Sequence, residues 1–297
     1  MMRPAFPRSS LASLASRASL VVSLGLALVA CGDNQTHPAQ NAAYEAGAPA
    51  PLACVPNLDG KIDANELAPA YGVAARYLVN PSGQTRTIDL LGRVEAGGAR
   101  VWDYSVPFVD DRIATVVAEK PDDKWYAGSF PGAEFVTPLD LSGRTVTVYA
   151  RTANEIRILG IASAEANPAE GKTLLVYDPP VVLYKLPLIP GSTHKSTSTT
   201  KNATLRGQPY AGRDTYEVNV DAAGKVILPD ITFSQALRVR TLVTIEPIAG
   251  TTTTQRQVSF FFECFGEVVR ATSAANEPSA DFSNVTELRR LGLAPAE

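Results

Sequence analysis

The 297-residue sequence is poor in the side chains that most catalytic sites use. It has two histidines, His37 and His194, and no Gly-x-Ser-x-Gly motif. A serine hydrolase needs a histidine base beside its nucleophile, and a histidine zinc site needs several such ligands. Adjacent acids such as Asp110 and Asp111 lie in turn-like contexts, where solvation is the usual role. These shortages predict a protein that is not an enzyme.

Concentrated positive charge is also missing. The 27 Lys and Arg side chains are outnumbered by 30 Asp and Glu, and no block of basic residues follows residue 30. Nucleic-acid binding requires a basic patch or stripe. The composition therefore excludes nucleic acid as an expected partner.

Long hydrophobic runs are absent as well. The longest, residues 20–30, is about half of the roughly 20 apolar residues that a transmembrane helix needs. Residues 1–30 contain no acidic side chain, and Arg3, Arg8 and Arg17 precede the run. A basic start, a short apolar segment and small residues before a cut describe a secretory signal peptide. We therefore expect residues 1–30 to be removed.

The run ends in Leu28-Val29-Ala30-Cys31, which resembles the lipobox of bacterial lipoproteins. The resemblance implies acylation of Cys31, for example by palmitate, and several acyl chains would anchor the protein firmly. Gly32 follows the cysteine, and by the same resemblance this favours the outer membrane of a Gram-negative bacterium. The alternative is ordinary cleavage near Ala30 and a soluble secreted protein. Residues 31–53 are rich in Ala, Pro, Asn and Gln and predict a flexible tether.

Two further cysteines, Cys54 and Cys264, remain if Cys31 is acylated. Disulfides form in the oxidising compartments that an exported chain reaches. We therefore predict a Cys54–Cys264 disulfide, and the alternative is two separately buried thiols.

Residues 54–75 open with ligand-like spacing and predict a loop followed by a short helix. If Val55 is position 1 of a calcium loop, the later ligand positions fall on Asn57, Asp59, Lys61 (through its carbonyl), Asp63 and Glu66. The stretch resembles the EF-hand-like opening of some Gram-negative lipoproteins, although Val55 replaces the usual aspartate. The resemblance implies calcium as a possible cofactor. A turn at residues 58–60 before a short helix is the alternative.

Residues 76–297 predict an antiparallel β domain. Apolar and polar side chains alternate, as in Tyr216–Val220 and Leu237–Ile245, and Gly, Pro and Asn interrupt the pattern at short intervals. We expect a mainly β fold built on a curved antiparallel sheet, either a half-barrel or a sandwich. The polar tract 191–204 is predicted as a solvated edge strand or a loop.

A short C-terminal helix is predicted after residue 283. Asn284 provides an N-cap, Glu287 completes a capping box, and Gly292 provides a stop. Leu288 and Leu291 give this segment an apolar edge.

Residues 140–275 resemble, in their strand spacing, periplasmic lipoprotein carriers with half-barrel folds. Three functions follow as hypotheses. The first is a non-enzymatic envelope lipoprotein that acts as a structural or interaction module, with an envelope-protein partner. The second is a carrier that holds lipid or acyl chains in a concave sheet. The third is a calcium-stabilised adhesion or sensor module.

Three arginines in the second half form a possible basic strip. Arg238 and Arg240 lie on the same face of one predicted strand, and Arg256 lies in the next strand. We prefer cross-strand pairing with Glu217, Glu246 or Glu263 to a ligand-binding role.

Overall fold

A computed structural model describes residues 54–292. The predicted signal peptide, tether and Cys31 lie outside this range. Apart from one 3₁₀ turn at Ala127–Ser129, the regular structure of these residues is entirely β. The strands are β1 Ala74–Val79, β2 Arg86–Thr87, β3 Arg93–Val94, β4 Arg100–Asp103, β5 Arg112–Val117, β6 Phe135–Pro138, β7 Thr145–Arg151, β8 Glu155–Ser163, β9 Leu174–Lys185, β10 Thr193–Leu205, β11 Gln208–Ile227, β12 Thr232–Pro247, β13 Thr253–Phe262, β14 Gly266–Ser273 and β15 Asn284–Leu291.

Twelve strands form one curved antiparallel sheet in the order β5-β1-β15-β14-β13-β12-β11-β10-β9-β8-β7-β6. Its two ends meet, because Glu119 and Val136 exchange backbone hydrogen bonds of 3.0 and 2.9 Å beyond β5 and within β6. The sheet is therefore nearly closed and barrel-like. The predicted curved antiparallel β fold is confirmed, and closure removes most of the free strand edge that an open half-barrel would expose.

The concave face of the sheet is identified by contacts between strands that are not neighbours. The rings of Tyr184 in β9 and Phe261 in β13 lie 5.2 Å apart, although three strands separate them in the sheet. Alternate residues of β11 and β12 share this face, including Val218, Val220 and Val239, which are all buried. Alternation with a period of two therefore divides each long strand between the inside and the outside of the barrel.

The convex face carries a second core. Residues 86–111 cross over it, and within them β4 pairs with the end of β11 as the one parallel ladder of the described sheet. Trp102 is completely buried, and its indole ring packs edge-to-face with the ring of Phe260, with the ring centroids 4.8 Å apart. Both faces of the middle strands are thus covered over part of their length, which explains apolar residues at consecutive positions such as 260–262.

The predicted C-terminal helix is wrong. Residues 284–291 form β15, which lies between β14 and β1 and carries the sheet toward closure. Leu288 and Arg290, two residues apart, are both buried on the convex face. Strand pairing on both sides satisfies the backbone of this segment and overrides the local capping pattern.

The predicted N-terminal helix is reduced to a single turn. The backbone amides of Glu66 and Leu67 donate hydrogen bonds to the carbonyl of Asp63, and this helical turn ends at residue 67. Pro69 lies two residues later and disfavours helical geometry at Ala68. The loop was predicted correctly, and the helix was not.

Candidate functional site

The predicted disulfide is confirmed. Cys54 and Cys264 are bonded, with their Cα atoms 5.5 Å apart. Cys264 lies in the turn between β13 and β14. The disulfide therefore links the first described residue to the hairpin formed by β13 and β14.

Hydrogen bonds to one buried carboxylate reinforce this attachment. The backbone amides of Asn57 and Leu58 donate to Glu263 Oε2 at 2.6 and 2.8 Å, and Glu263 is 3% exposed. The amide of Cys264 in turn donates to the carbonyl of Glu66 at 2.9 Å. Residues 54–66 are consequently held on the sheet by covalent and polar contacts together.

The structure places all five predicted calcium ligands in one loop, but it gives them other partners. Lys61 Nζ lies 3.0 Å from Asp63 Oδ2 and 3.5 Å from Asp59 Oδ2. The hydrogen bond and charge of Asp63 raise the pKa of Lys61. Glu66 accepts hydrogen bonds from the Asn57 side-chain amide at 2.9 Å and from the Asp63 backbone amide at 2.8 Å. The lysine ammonium therefore pairs with two of the carboxylates, Asp59 and Asp63, that a calcium ion would need.

Among residues 54–292, no group of three or more His, Cys, Asp or Glu side chains has the arrangement of a metal site. The calcium site therefore stays a prediction that the arrangement of side chains does not support. The loop resembles a calcium loop in its spacing, but its central cation is supplied by Lys61.

The concave face does not present an open apolar surface. Ile62 of the N-terminal segment is 1% exposed and packs with Leu188, Val220 and Leu237 inside the sheet. The carbonyl and amide of Ile62 also pair with Leu188 at 2.9 and 3.0 Å. This half of the concave face is therefore packed shut.

The concave face also carries a group of buried polar side chains. Arg270 binds Glu267 through two contacts of 2.8 Å, and Ser259 Oγ donates to Glu267 at 2.6 Å. Tyr184 lies near this pair, and burial raises the pKa of its phenol. These groups satisfy one another inside the sheet, and acyl chains would gain little from such a surface.

An open groove of about 550 Å³ lies on the convex face across β10–β13. Strand register places Lys195, Glu217, Leu242 and Arg256 in one row, each opposite the next. A second row, two residues along the strands, contains Thr193, Asn219, Arg240 and Val258. Neighbouring strands lie about 4.8 Å apart, so each row is roughly 14 Å long. Ala280 and Phe282 form the wall at the β13 end.

The groove is lined by three cationic side chains, Lys195, Arg240 and Arg256, and by one acid, Glu217. Carboxylates pair with two of these cations, Lys195 and Arg240. Lys195 pairs with Glu217 at 2.7 Å on the exposed rim. Arg256 binds the backbone carbonyls of Glu277 and Pro278 at 2.9 and 3.1 Å, and no carboxylate contacts it among the described residues. Its Nη1 has no hydrogen-bond partner in that part of the chain. Arg256 therefore keeps its positive charge uncompensated.

The other two arginines of the predicted strip are paired, as the sequence favoured, but with different acids. Arg238 binds Asp221 through contacts of 2.7 and 2.8 Å, and Arg240 reaches the same carboxylate at 2.6 Å. Arg240 also lies 2.6 Å from Asp281. The sequence analysis did not identify Asp221 as a partner, and this residue lies within β11.

His194, the one histidine in the described range, takes a structural position. Its Nε2 donates a hydrogen bond to the carbonyl of Val182 at 3.2 Å, across the irregular junction of β9 and β10. Burial lowers the pKa of His194, so the neutral form that makes this bond is favoured at neutral pH.

Comparison with known protein families, curated proteins and solved structures finds no match to this chain. No helix within residues 54–292 is long and apolar enough to cross a membrane. The candidate site is therefore interpreted from its own geometry.

Proposed function

We propose that this protein is a non-enzymatic lipoprotein of the cell envelope, anchored through Cys31 to the outer membrane of a Gram-negative bacterium. It acts there as an interaction module for another envelope component. The groove on the convex face is its binding surface. The observation that carries this proposal is that the open surface of the sheet lies outside, whereas the concave face is filled.

Two features support an extracytoplasmic location. The Cys54–Cys264 disulfide is of the kind that persists in oxidising compartments. The lipobox-like residues 28–31 precede it in the same chain. The signal and the disulfide are independent, because one concerns export and the other concerns the folded domain.

The carrier hypothesis is less well supported. A carrier needs a concave apolar face that is open to its cargo, but Ile62 and Leu188 fill that space here and are each 1% exposed. The Arg270–Glu267 ion pair lies on the same face. The contacts of Lys61 with Asp59 and Asp63 weaken the sensor hypothesis.

The location is tested by mass spectrometry of the protein purified from membranes. We expect residues 1–30 to be missing and Cys31 to carry the added mass of several acyl chains. The Cys31→Ser variant should leave the membrane fraction. An intact leader, or membrane attachment that survives Cys31→Ser, would refute the lipid anchor.

The interaction surface is tested by photo-crosslinking in cells that produce the full chain. A photoreactive residue replaces Leu242 in the groove or, as a control, Ile248, which is 83% exposed and lies in the loop after β12. If crosslinking follows binding, the Leu242 position gives a discrete product with one identified envelope protein. Equal or stronger products from the more exposed Ile248 position would contradict the proposal.

A further inference from the structure

The charge pattern of the groove restricts what it binds. Arg256 stands at one end of its row, the apolar Leu242 is next to it, and Val258 lies two residues further along the strand. The guanidinium is held by the carbonyls of Glu277 and Pro278, so it is oriented without being neutralised. A fixed guanidinium with free donors suits a carboxylate, because charge-assisted hydrogen bonds of this kind are strong.

We propose that the groove recognises an acidic peptide segment of a partner protein, with a carboxylate on Arg256 and a neighbouring apolar side chain over Leu242. This inference rests on the proposed interaction function and names the chemistry of its partner. Arg256 and Leu242 are the residues that determine specificity.

Three properties of the groove favour a peptide. It is open along its length and not enclosed, so it accommodates a chain that continues at both ends. Its row of about 14 Å equals roughly four residues of extended peptide at 3.4 Å each. The Lys195–Glu217 pair at the far end presents both signs of charge, which a polar backbone and mixed side chains can meet.

The test uses the full processed chain in neutral detergent and two probe peptides, acetyl-Leu-Glu-Leu-amide and acetyl-Leu-Gln-Leu-amide. Saturation-transfer NMR titration measures their dissociation constants. We expect the glutamine peptide to bind at least about tenfold more weakly, since hydrogen bonds to charged groups contribute more than neutral ones. Equal binding of the two peptides would overturn the inference.

Variants locate the binding. Arg256→Gln should weaken binding of the glutamate peptide at least about tenfold, and Arg256→Lys should restore part of it. The matched control is Arg213→Gln, because Arg213 lies outside the groove and its guanidinium is already paired with Glu246 at 2.8 and 2.9 Å. An equal loss in the Arg213 variant would show that general surface charge is responsible.

Arg256→Gln also removes contacts to residues 277 and 278, so a second variant leaves those contacts intact. Leu242→Glu places a negative charge on the half-buried floor of the groove. It should weaken binding of the acidic peptide while leaving the melting temperature of the protein within a few degrees of the wild type. Unchanged peptide binding in this variant would contradict the inference.

Two outcomes separate this inference from the proposed function. If crosslinking from position 242 persists in the Arg256→Gln variant, the groove is an interaction surface but acidic recognition is wrong. If vesicles of phosphatidylglycerol bind in an Arg256-dependent manner and the peptide does not, the ligand is an anionic lipid surface and the peptide assignment falls. If neither crosslinking nor peptide binding occurs, both proposals fail.

Discussion

At the scale of single residues, Asp214 is a buried acid without a basic partner among the described residues. It is 8% exposed on the concave face and accepts a hydrogen bond from Tyr177 at 2.6 Å. Burial raises the pKa of Asp214, and the bond from Tyr177 opposes this only in part. The folded state therefore binds the proton more tightly than the unfolded state. Its contribution to stability is full below the unfolded-state pKa and is lost as the pH rises through the folded-state pKa.

We predict that Asp214→Asn makes the protein more stable at pH 8 by about 1 kcal/mol, a typical cost of a poorly compensated buried polar group. The advantage should shrink as the pH falls through the raised pKa of Asp214, because the wild-type carboxyl then becomes protonated in the folded state. Urea unfolding across this pH range measures the effect. The exposed Asp140→Asn variant is the control and should follow the wild type. A variant less stable than the wild type at pH 8 would show that the carboxylate is favourable.

Lys61 leads to a second prediction at this scale. Its ammonium lies between Asp59 and Asp63, where a divalent ion would otherwise bind. A ligand that binds only the folded state must raise its stability. We therefore expect millimolar calcium to leave the melting temperature of the wild type unchanged, with magnesium as the control for ionic strength. A calcium-specific increase that disappears in Asp59→Asn would restore the calcium hypothesis.

At the scale of elements, the sequence predicted strands best where one face is buried and the other is exposed. Tyr216–Val220 and Leu237–Ile245 lie within β11 and β12, as their alternation indicated. The polar tract 191–204 lies in β10, between β9 and β11, where neither an edge strand nor a loop is found. Its Ser and Thr residues bond to β9 through side chains, as when Ser196 Oγ accepts from the amide of Val182. Periodicity carries no signal for a strand whose two faces are both polar.

The C-terminal segment failed for a different reason. Asn284 and Glu287 have the correct spacing for a capping box. The extended form is stabilised instead by pairing with β1, which lies about 210 residues away in sequence. The groove was equally inaccessible to sequence reading, because Lys195 and Arg256 meet only through the register of four strands. Local patterns describe neighbours in the chain, and they do not encode which strands become neighbours in space.

Arg290 distinguishes the strand from the predicted helix. In the helix, Leu288 and Leu291 would face the core and Arg290 would be solvated. In β15, Arg290 is 1% exposed, binds Asp111, and donates to the carbonyls of Tyr104 and Val106 at 2.6 and 2.7 Å. We expect Arg290→Ala to reduce the free energy of unfolding by about 3–5 kcal/mol, since it leaves a buried carboxylate and two carbonyls without their donor.

The control for this prediction is Arg76→Ala, because Arg76 lies on the adjacent strand β1 and is exposed. That variant should change stability by less than about 0.5 kcal/mol. Chemical unfolding of both variants measures the difference. A small effect of Arg290→Ala, equal to that of Arg76→Ala, would favour the helical alternative for residues 284–291.

At the scale of the whole molecule, the disulfide joins positions 210 residues apart and so constrains nearly all of the described chain. A cross-link of this span restricts the unfolded ensemble by about 5 kcal/mol in the chain-entropy model. It also holds residues 54–66, whose Ile62 fills the concave face. Loss of the disulfide therefore increases the entropy of the unfolded state, and in the folded state it weakens the packing of Ile62 against the concave face.

We predict that Cys54→Ala lowers the free energy of unfolding by several kcal/mol, up to about 5. Cys264→Ala and the double variant should lose the same amount, because either change removes the one bond. Urea unfolding of the oxidised proteins gives the three values, and the wild type in a thiol reductant should match them. Losses that add in the double variant would mean that the two cysteines contribute as separate buried side chains and that the cross-link itself adds nothing. Equality of the three variants, together with a concave face that becomes accessible to an apolar dye, would show that this one bond both stabilises the sheet and keeps its interior closed.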